Sequence, residues 1–506
     1  MIFATRIKPN LYKDSVALMR IAEKLLADAA ILRATLVMGT PANKDILLEA
    51  GLLGAEAAAA APSDLVVVVE ARDQAAADAA FGLVDDSLGA AHAASGEARR
   101  DIAPLTIAMG RARMEGANIV QISVPGPYAG AEALKAVKAG LNVFLFSDNV
   151  PIGQERAVKL LAQKKGVLVM GPDCGTAIIG GVPLGFANVV RRGRIGLVAA
   201  SGTGLQEVTS QIHRMGEGVS HAIGTGGRDV TADIGGITMS MALDLLAADD
   251  ETRVIGIVSK PPAPHVMREL VTRAGAAGKP VVLLFLGGDA EALPNNVRAT
   301  ASLHGCAAAC VALARGAAAP DSGNPGVTQA KANLAPGAKY LRGLFSGGTF
   351  CSEAQLVLKA RGVHCWSNVP LDLKRALADA RISQEHTLLD LGAGEFTVGK
   401  PHPMIDPSTR IARIAEEAAD PETAVLLVDV VLGYAAHTDP AGALCNVIVE
   451  AKKTRDLPVV AFVCGTEEDP QVRSVQEAKL AAAGCILGQS STQAAGIAAA
   501  LVKRDA

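Results

Sequence analysis

With 506 residues the chain is long enough for three or four domains, each burying its own core. Half of the residues (50%) are hydrophobic yet 3% are aromatic, so the apolar mass is Ala, Val, Leu and Ile, as in strands buried between helices. A formal net charge of −3, dispersed charges, scarce aromatic platforms and no apolar run of ~18 residues argue against a nucleic-acid partner and against a membrane span.

The first block reads β-α-β-α-β-α. Strands are expected over residues 2–7, 32–38 and 65–70, with a helix over 11–29 whose apolar residues recur at helical spacing. It makes a small α/β domain of its own, residues 1–97. The second block, 98–190, carries a βαβ unit of the kind that builds parallel sheets. Its strand over 118–124 leads through Pro125-Gly126-Pro127-Tyr128 to a helix over 131–139, closed by Gly140, and a strand over 142–146. A strand over 167–170 then ends at Gly171-Pro172-Asp173-Cys174-Gly175. The third block, 191–320, has strands over 195–200, 254–259 and 280–286. Residues 316–337, rich in Gly, Ala, Pro, Asn and Ser, read as an interdomain linker. The last block, 338–506, has strands over 341–345, 387–391, 424–430 and 459–463, each ending in a polar loop. In open α/β sheets ligands gather at such carboxyl ends. The start of the chain leads straight into strand-like sequence without a signal peptide, and the eight cysteines are scattered, so the chain reads as cytoplasmic and reduced. Cys306 and Cys310, near His304, read as buried thiols on an Ala-rich helix rather than as a zinc site.

Two strand-to-helix turns nearly repeat one another. Ser201-Gly202-Thr203-Gly204 is followed by Glu207, and Ser346-Gly347-Gly348-Thr349 by Glu353. A glycine-rich turn at a helix start presents free N–H groups with the positive end of the helix dipole behind them, which suits phosphate or carboxylate. Two of them suggest two anion-holding helices facing each other. Each alone reads equally as a helix cap in a tight βα turn.

Other loops concentrate reactive side chains. Residues 392–407 form a long connection that carries Glu395, Lys400, His402 and Asp406 and is stiffened by Pro401, Pro403 and Pro407. Arg228, beside Gly226 and Gly227, suits a carboxylate or phosphate but equally a surface pair with Asp229. Lys260 would neutralise an anion or simply be solvated. Cys174 reads as a packing thiol, since the sequence identifies no base to activate it.

At these residues the chain resembles the alpha subunit of succinyl-CoA synthetase: Ser123-Val124-Pro125-Gly126-Pro127-Tyr128, Gly171-Pro172-Asp173-Cys174, Ser201-Gly202-Thr203 and Gly226-Gly227-Arg228. Its last block, with Asp390-Leu391-Gly392-Ala393-Gly394 and Val428-Asp429, resembles the carboxy-terminal domain of that enzyme's beta subunit. The chain is similar over essentially its whole length to the FdrA family, which fuses these pieces behind an amino-terminal domain. The strings that carry this likeness include Phe146-Ser147-Asp148-Asn149, Lys260-Pro261-Pro262-Ala263-Pro264 and the run from Phe396 through Lys400, His402 and Asp406 to Pro407. The resemblance implies a multidomain α/β fold: a Rossmann-like CoA-binding-type domain, two flavodoxin-like succinyl-CoA synthetase-type domains and the small amino-terminal α/β domain. The departures are chemical. Where the synthetases carry a phosphorylated histidine, this chain has Asn295-Asn296-Val297-Arg298-Ala299-Thr300-Ala301-Ser302, and Lys260-Pro261-Pro262 stands where they place a glutamate. The glycine-rich nucleotide turn near their amino terminus and their ATP-grasp module have no counterpart in it.

The resemblance therefore implies a subunit of a carbamoyl- or acyl-phosphate-using transferase, like oxamate carbamoyltransferase in purine catabolism, completed by other protein subunits. No cofactor is certain; the expected ligand is phosphate or a carbamoyl or acyl phosphate, with CoA a second candidate. On this reading Ser201, Gly202, Thr203, Gly204, Ser346, Gly347, Gly348 and Thr349 hold phosphate. Arg228 and Lys400 counter charge and His402 is the acid or base. Pro125, Tyr128, Asp173, Gly227, Lys260 and Asp406 contact the anionic small-molecule substrate. The alternatives are an acyl-CoA synthetase that borrows an ATP-binding chain, and a non-catalytic anion-binding scaffold.

Overall fold

The computed structural model describes residues 2–11, 13, 15–89, 103–288, 292–318, 334–397 and 400–502. Most of the expected linker, residues 319–333, lies outside them. The chain forms two compact units, Met1–Thr106 with Val398–Pro401, and Ile107–Thr397 with His402–Ala506.

The first unit runs β1 (Ile2–Lys8), α1 (Ser15–Leu26), β2 (Ile31–Met38), α2 (Pro41–Glu49), α3 (Ala55–Ala59), β3 (Leu65–Ala71) and α4 (Gln74–Gly89). Its sheet has the order β1-β3-β2, with β3 antiparallel to both neighbours. The run Leu65-Val66-Val67-Val68-Val69 is apolar throughout because both faces of β3 are covered. Leu65, Val67 and Val69 pack with Leu18, Leu25 and Phe81 on one face, and Val66 and Val68 pack with Leu47 and Leu52 on the other.

Among the described residues the second unit holds three sheets. The first follows α5 (Ile107–Arg113) and is built from β4 (Ile119–Ile122), α6 (Gly126–Lys138), β5 (Asn142–Leu145), α7 (Ile152–Lys165) and β6 (Val169–Met170), a parallel β4-β5-β6 array. Helix α6 begins five residues before the helix expected from sequence. Pro127, read there as part of a turn, sits in the first helical turn, where a missing N–H costs nothing.

The next sheet takes β7 (Thr176–Ile179), β8 (Val182–Gly185), β9 (Arg192–Ala199), α8 (Gly202–Arg214), β10 (Val219–Gly224), α9 (Ile237–Ala248), β11 (Val254–Ser259), α10 (Pro264–Ala276), β12 (Val281–Phe285), β13 (Val297–Ala299) and α11 (Leu303–Ala314). Its order is β13-β12-β11-β9-β10-β7-β8, parallel from β13 to β10 and closed by the β7–β8 hairpin. The last sheet takes β14 (Tyr340–Phe345), α12 (Gly348–Ala360), β15 (Trp366–Ser367), β16 (Thr387–Asp390), α13 (Gly394–Thr397), α14 (Ser408–Ala419), β17 (Thr423–Val431), α15 (Pro440–Thr454), β18 (Val459–Cys464), α16 (Arg473–Ala482), β19 (Ile486–Gly488) and α17 (Ser491–Val502). It is parallel in the order β15-β16-β14-β17-β18-β19. Between these two sheets α8 and α11 pack on α12 and α17, and one continuous core runs from Leu205 and Val208 through Cys306 and Cys310 to Phe350, Leu358 and Ile497.

Candidate functional site

Both large sheets reverse their winding direction at the first strand. From β9 the chain crosses by α8 to β10 on one side, while β11 continues by α10 to β12 on the other. From β14 it crosses by α12 to β15 and β16, while β17 continues by α15 to β18. Such reversals open a crevice outside the carboxyl ends of the strands. The two glycine-rich turns occupy these two positions, and they meet: the hydroxyls of Ser201 and Thr349 are hydrogen-bonded. A Cβ on Gly347 would collide with the side chain of Thr203, so glycine there is what lets the two helix starts touch.

The turns are built differently. Ser201 is the N-cap of α8, extended at φ −160°, and its hydroxyl accepts from the Gly204 amide at 2.9 Å. In the second turn the N-cap is Gly347, which offers no side chain, so the first amides of α12 (Gly348, Thr349, Phe350) have no side-chain cap among the described residues. Ser346 is turned into the sheet. Its amide donates to Asp429 Oδ1 at 2.9 Å and its hydroxyl donates to Asp429 Oδ2. Arg410, from α14, binds Asp429 Oδ1 at 2.9 Å, Asp429 O at 2.7 Å and Leu344 O at 3.1 Å. A buried ion pair thus fixes the turn from beneath.

Asp390 ends β16 beside the open amides. It is 8% exposed, and Oδ1 accepts from the Gly392 amide at 3.0 Å. A Cβ on Gly348 would lie 2.7 Å from Asp390 Oδ2 and 3.7 Å from Lys260 Nζ, so both side chains border the start of α12. Burial pushes the Asp390 carboxyl up to about 6; the Gly392 amide and Lys260 oppose this, and Asp429 and Asp173 add to it. Asp173 keeps an exposed face, yet desolvation by the surrounding chain raises its carboxyl to about 6, with Asp148 adding and Arg228 opposing. Three loops converge beside it: a Cβ on Gly226 would strike Pro172 O, and one on Gly227 would lie 3.9 Å from Ala200 O.

His402 joins this group. Burial pushes its imidazole down to about 4, so the ring is neutral near pH 7. Its Nδ1 accepts from the Met404 amide at 3.3 Å, which leaves the proton on Nε2. Nε2 lies 2.7 Å from the position of a Cβ on Gly392, and the ring packs on Phe186 at 5.6 Å. It is therefore a neutral donor rather than a cation.

Other expected residues fall elsewhere. Arg228 does not pair with Asp229; its guanidinium binds Glu155 at 2.8 Å and Val150 O at 2.7 Å. Asp229 instead pairs at 2.8 Å with the fully buried Lys159, and its carboxylate accepts from the Thr238 and Met239 amides at the start of α9. Pro125 is the N-cap of α6 and Tyr128 is exposed in that helix's first turn, with Gly126 pressed against the carbonyls of Asp148 and Asn149. Asp406 accepts from the Ser408 amide at 2.9 Å, in the turn before α14, whose N-cap is Pro407. Lys400 is exposed and falls in the short segment grouped with the first unit. Burial pushes the Cys174 thiol up to about 12, which removes it as a nucleophile. Cys306 and Cys310 pack under β11, where a Cβ on Gly256 would meet Cys310 Sγ at 3.2 Å. The sequence alone does not mark Asp390, Asp429 or Arg410 for chemistry. The usable signal for the first two was a carboxylate at the end of an otherwise apolar strand; Arg410 carried none.

The comparisons with known proteins follow this architecture. Over 499 residues the chain is 41% identical to the uncharacterized protein YahF of Escherichia coli K12, covering 96% of both. The chain belongs to the YahF family. Residues 344–501 match the CoA-ligase family, and 192–321 match the succinyl-CoA ligase like flavodoxin domain. Residues 1–104 match the AllF heavy metal-associated domain. Over 154 residues the chain is 30% identical to a succinate–CoA ligase [ADP-forming] subunit alpha of Aquifex aeolicus, covering 29% of this chain and 48% of the relative. Over 182 residues it is 28% identical to the ADP-forming sulfoacetate-CoA ligase subunit SauD of Bilophila wadsworthia, covering 34% and 60%. It thus spans about half of each ligase subunit. An acetyl-coenzyme A synthetase from Ca. Korarchaeum cryptofilum aligns at 16% identity over 76% of this chain and 82% of that chain, with a TM-score of 0.32. The sheets and the two family matches make the fold α/β, with CoA-ligase-type and flavodoxin-like succinyl-CoA ligase domains behind a small α/β region. A metal in that first region is not matched by its donors. Residues 1–104 contain no cysteine and one histidine, His92, which lies outside the described residues. No group of three His, Cys, Asp or Glu suited to a metal ion occurs among the described residues.

Proposed function

We propose that this chain is a subunit of a transferase that handles a carbamoyl or acyl phosphate, of the FdrA type, and that other protein subunits complete it. The observation that carries this reading is the uncapped start of α12, pressed against the start of α8 and bordered by Lys260. Amides already aimed at a phosphoryl group stabilise charge as it develops on the leaving or attacking phosphate, and attack at the carbonyl carbon then needs little beyond positioning. His402 supplies a neutral N–H beside the site, and Asp390 a carboxyl that titrates near physiological pH.

A second reading, an acyl-CoA synthetase working with a separate ATP-binding chain, draws on the two ligase-subunit relatives and on the α6 turn, where Pro125, Tyr128 and Asp148 would border the CoA. CoA would supply the thiol acceptor there. The two readings separate in one assay of the full chain, with and without its partner chains. Carbamoyl phosphate formed from a carbamoyl donor and inorganic phosphate, without CoA, supports the first; CoA-dependent ADP release supports the second. If inorganic phosphate, carbamoyl phosphate and CoA all leave the melting temperature unchanged, the anion site itself is wrong. Saturation at 100 times Kd should add about 2.7 kcal/mol.

A further inference from the structure

The start of α12 already has a carboxylate beside it. Asp390 is more than nine-tenths buried, its Oδ1 is satisfied by the Gly392 amide, and its Oδ2 has no hydrogen-bond partner among the described residues. That oxygen points at Gly348, the first residue of α12, with Lys260 Nζ alongside. A permanent negative charge here would repel an incoming anion from the amides meant to hold it. The conflict disappears if one proton sits between the two oxygens.

We propose that Asp390 is the specificity-determining residue of the α12 anion site, which accepts an oxyanion sharing one proton with this carboxylate and so selects phosphate over sulfate. This rests on the anion-site reading above and adds the chemical class of its ligand. Inorganic phosphate carries a proton of its own at neutral pH and presents a P–OH donor to the carboxylate. Sulfate carries none, so it enters only when Asp390 itself is protonated. An acyl phosphate, a mixed anhydride that is a dianion near neutral pH, brings no proton either, so like sulfate it enters with Asp390 protonated and its binding takes up one proton. The groups facing Asp390 are Lys260 after β11, Asp173 after β6, Asp429 on β17 and His402 after α13. Lys260 favours the ionised carboxylate, the two aspartates favour the protonated one, and the neutral His402 leaves the balance to them.

Calorimetric titration of the full chain with inorganic phosphate and with sulfate, from about pH 6.5 to 8.5, tests this. Sulfate affinity should fall about tenfold per pH unit while phosphate affinity stays nearly flat. In Asp390→Asn the side-chain NH2 donates a hydrogen bond and does not titrate, so the sulfate pH dependence should vanish. The wild-type profile alone decides the matter if that variant does not fold. Equal affinities for both anions across the range overturn the role of Asp390 and leave the phosphate site standing. No binding of either anion overturns both.

Discussion

The starts of α8 and α12 look alike as sequence and differ as chemistry. In Ser201-Gly202-Thr203-Gly204 the serine is the N-cap and spends its hydroxyl on the Gly204 amide. In Ser346-Gly347-Gly348-Thr349 the helix begins one residue later relative to the serine, the cap is glycine, and the serine is held by Asp429 instead. A shift of one residue converts a closed helix start into an open one. Further along, the two helices match again. Glu207 and Glu353 each stand sixth in their helix, and each reaches across to the other half of the pair. Glu207 accepts from the Ser491 amide at the start of α17, at 3.3 Å, and Glu353 from the Leu303 amide at the start of α11, at 2.8 Å. The scaffold is near-symmetric, and the asymmetry lies in the turns.

Breaking the open turn from beneath should have the largest effect. Asp429→Ala leaves the buried Arg410 guanidinium without its counter-charge and should cost about 3–5 kcal/mol, read from the guanidinium-chloride unfolding midpoint. It should also abolish phosphate protection, because Ser346 loses its anchor. Removing both charges with Asp429→Leu and Arg410→Met should recover most of the stability but not the protection. Recovery of both would mean that the α12 turn is held by something other than this ion pair.

The crossed glutamates offer a second test. Burial raises the Glu353 carboxyl from the ordinary 4.5 to about 7, with Glu207 adding and the donors Ser491, Leu303 and Thr492 opposing. The folded state therefore holds the proton more tightly than the unfolded one. The associated stability is fully present below pH 4.5, declines as pH rises from there, and is gone above about 7, a loss on the order of 3 kcal/mol. Glu353→Gln keeps an acceptor for Leu303 and removes the ionisation. Its melting temperature should match wild type near pH 5 and exceed it at pH 8; a parallel decline in both proteins would show that Glu353 is not the group titrating.

Much of this fold is legible in sequence because strand runs and glycine turns are local signals. The parallel blocks and the two turns follow from them; that the turns meet is only suggested by their likeness, and the Ser201–Thr349 contact shows it. Strand order in the first unit does not, since β3 is equally apolar whether it pairs at an edge or in the centre. The α6 start was hidden because Pro127 signals a turn and a first helical turn alike. In the site, side-chain type was readable and partnership was not. Arg228 sits next to Asp229 in sequence and pairs with Glu155 in space, because Lys159 has taken Asp229 into the core. His402 reads as an acid or base, and only its burial against Phe186 shows that it stays neutral. Which serine caps its helix depends on where the helix starts, and sequence places helix starts least well.

The smallest effect should come from the closed turn. Ser201→Ala removes one cap bond to Gly204 and the hydroxyl contact with Thr349, which is worth about 1 kcal/mol of stability. Because the amides of α12 are untouched, phosphate should protect this variant as well as it protects wild type, or slightly better, since Thr349 regains a free hydroxyl facing the ligand. A loss of protection as large as that expected for Asp429→Ala would mean that the two turns act as one site and that the cap difference between them has no bearing on where the anion binds. Equal protection would place the anion on α12 and leave α8 as the wall against which it is held.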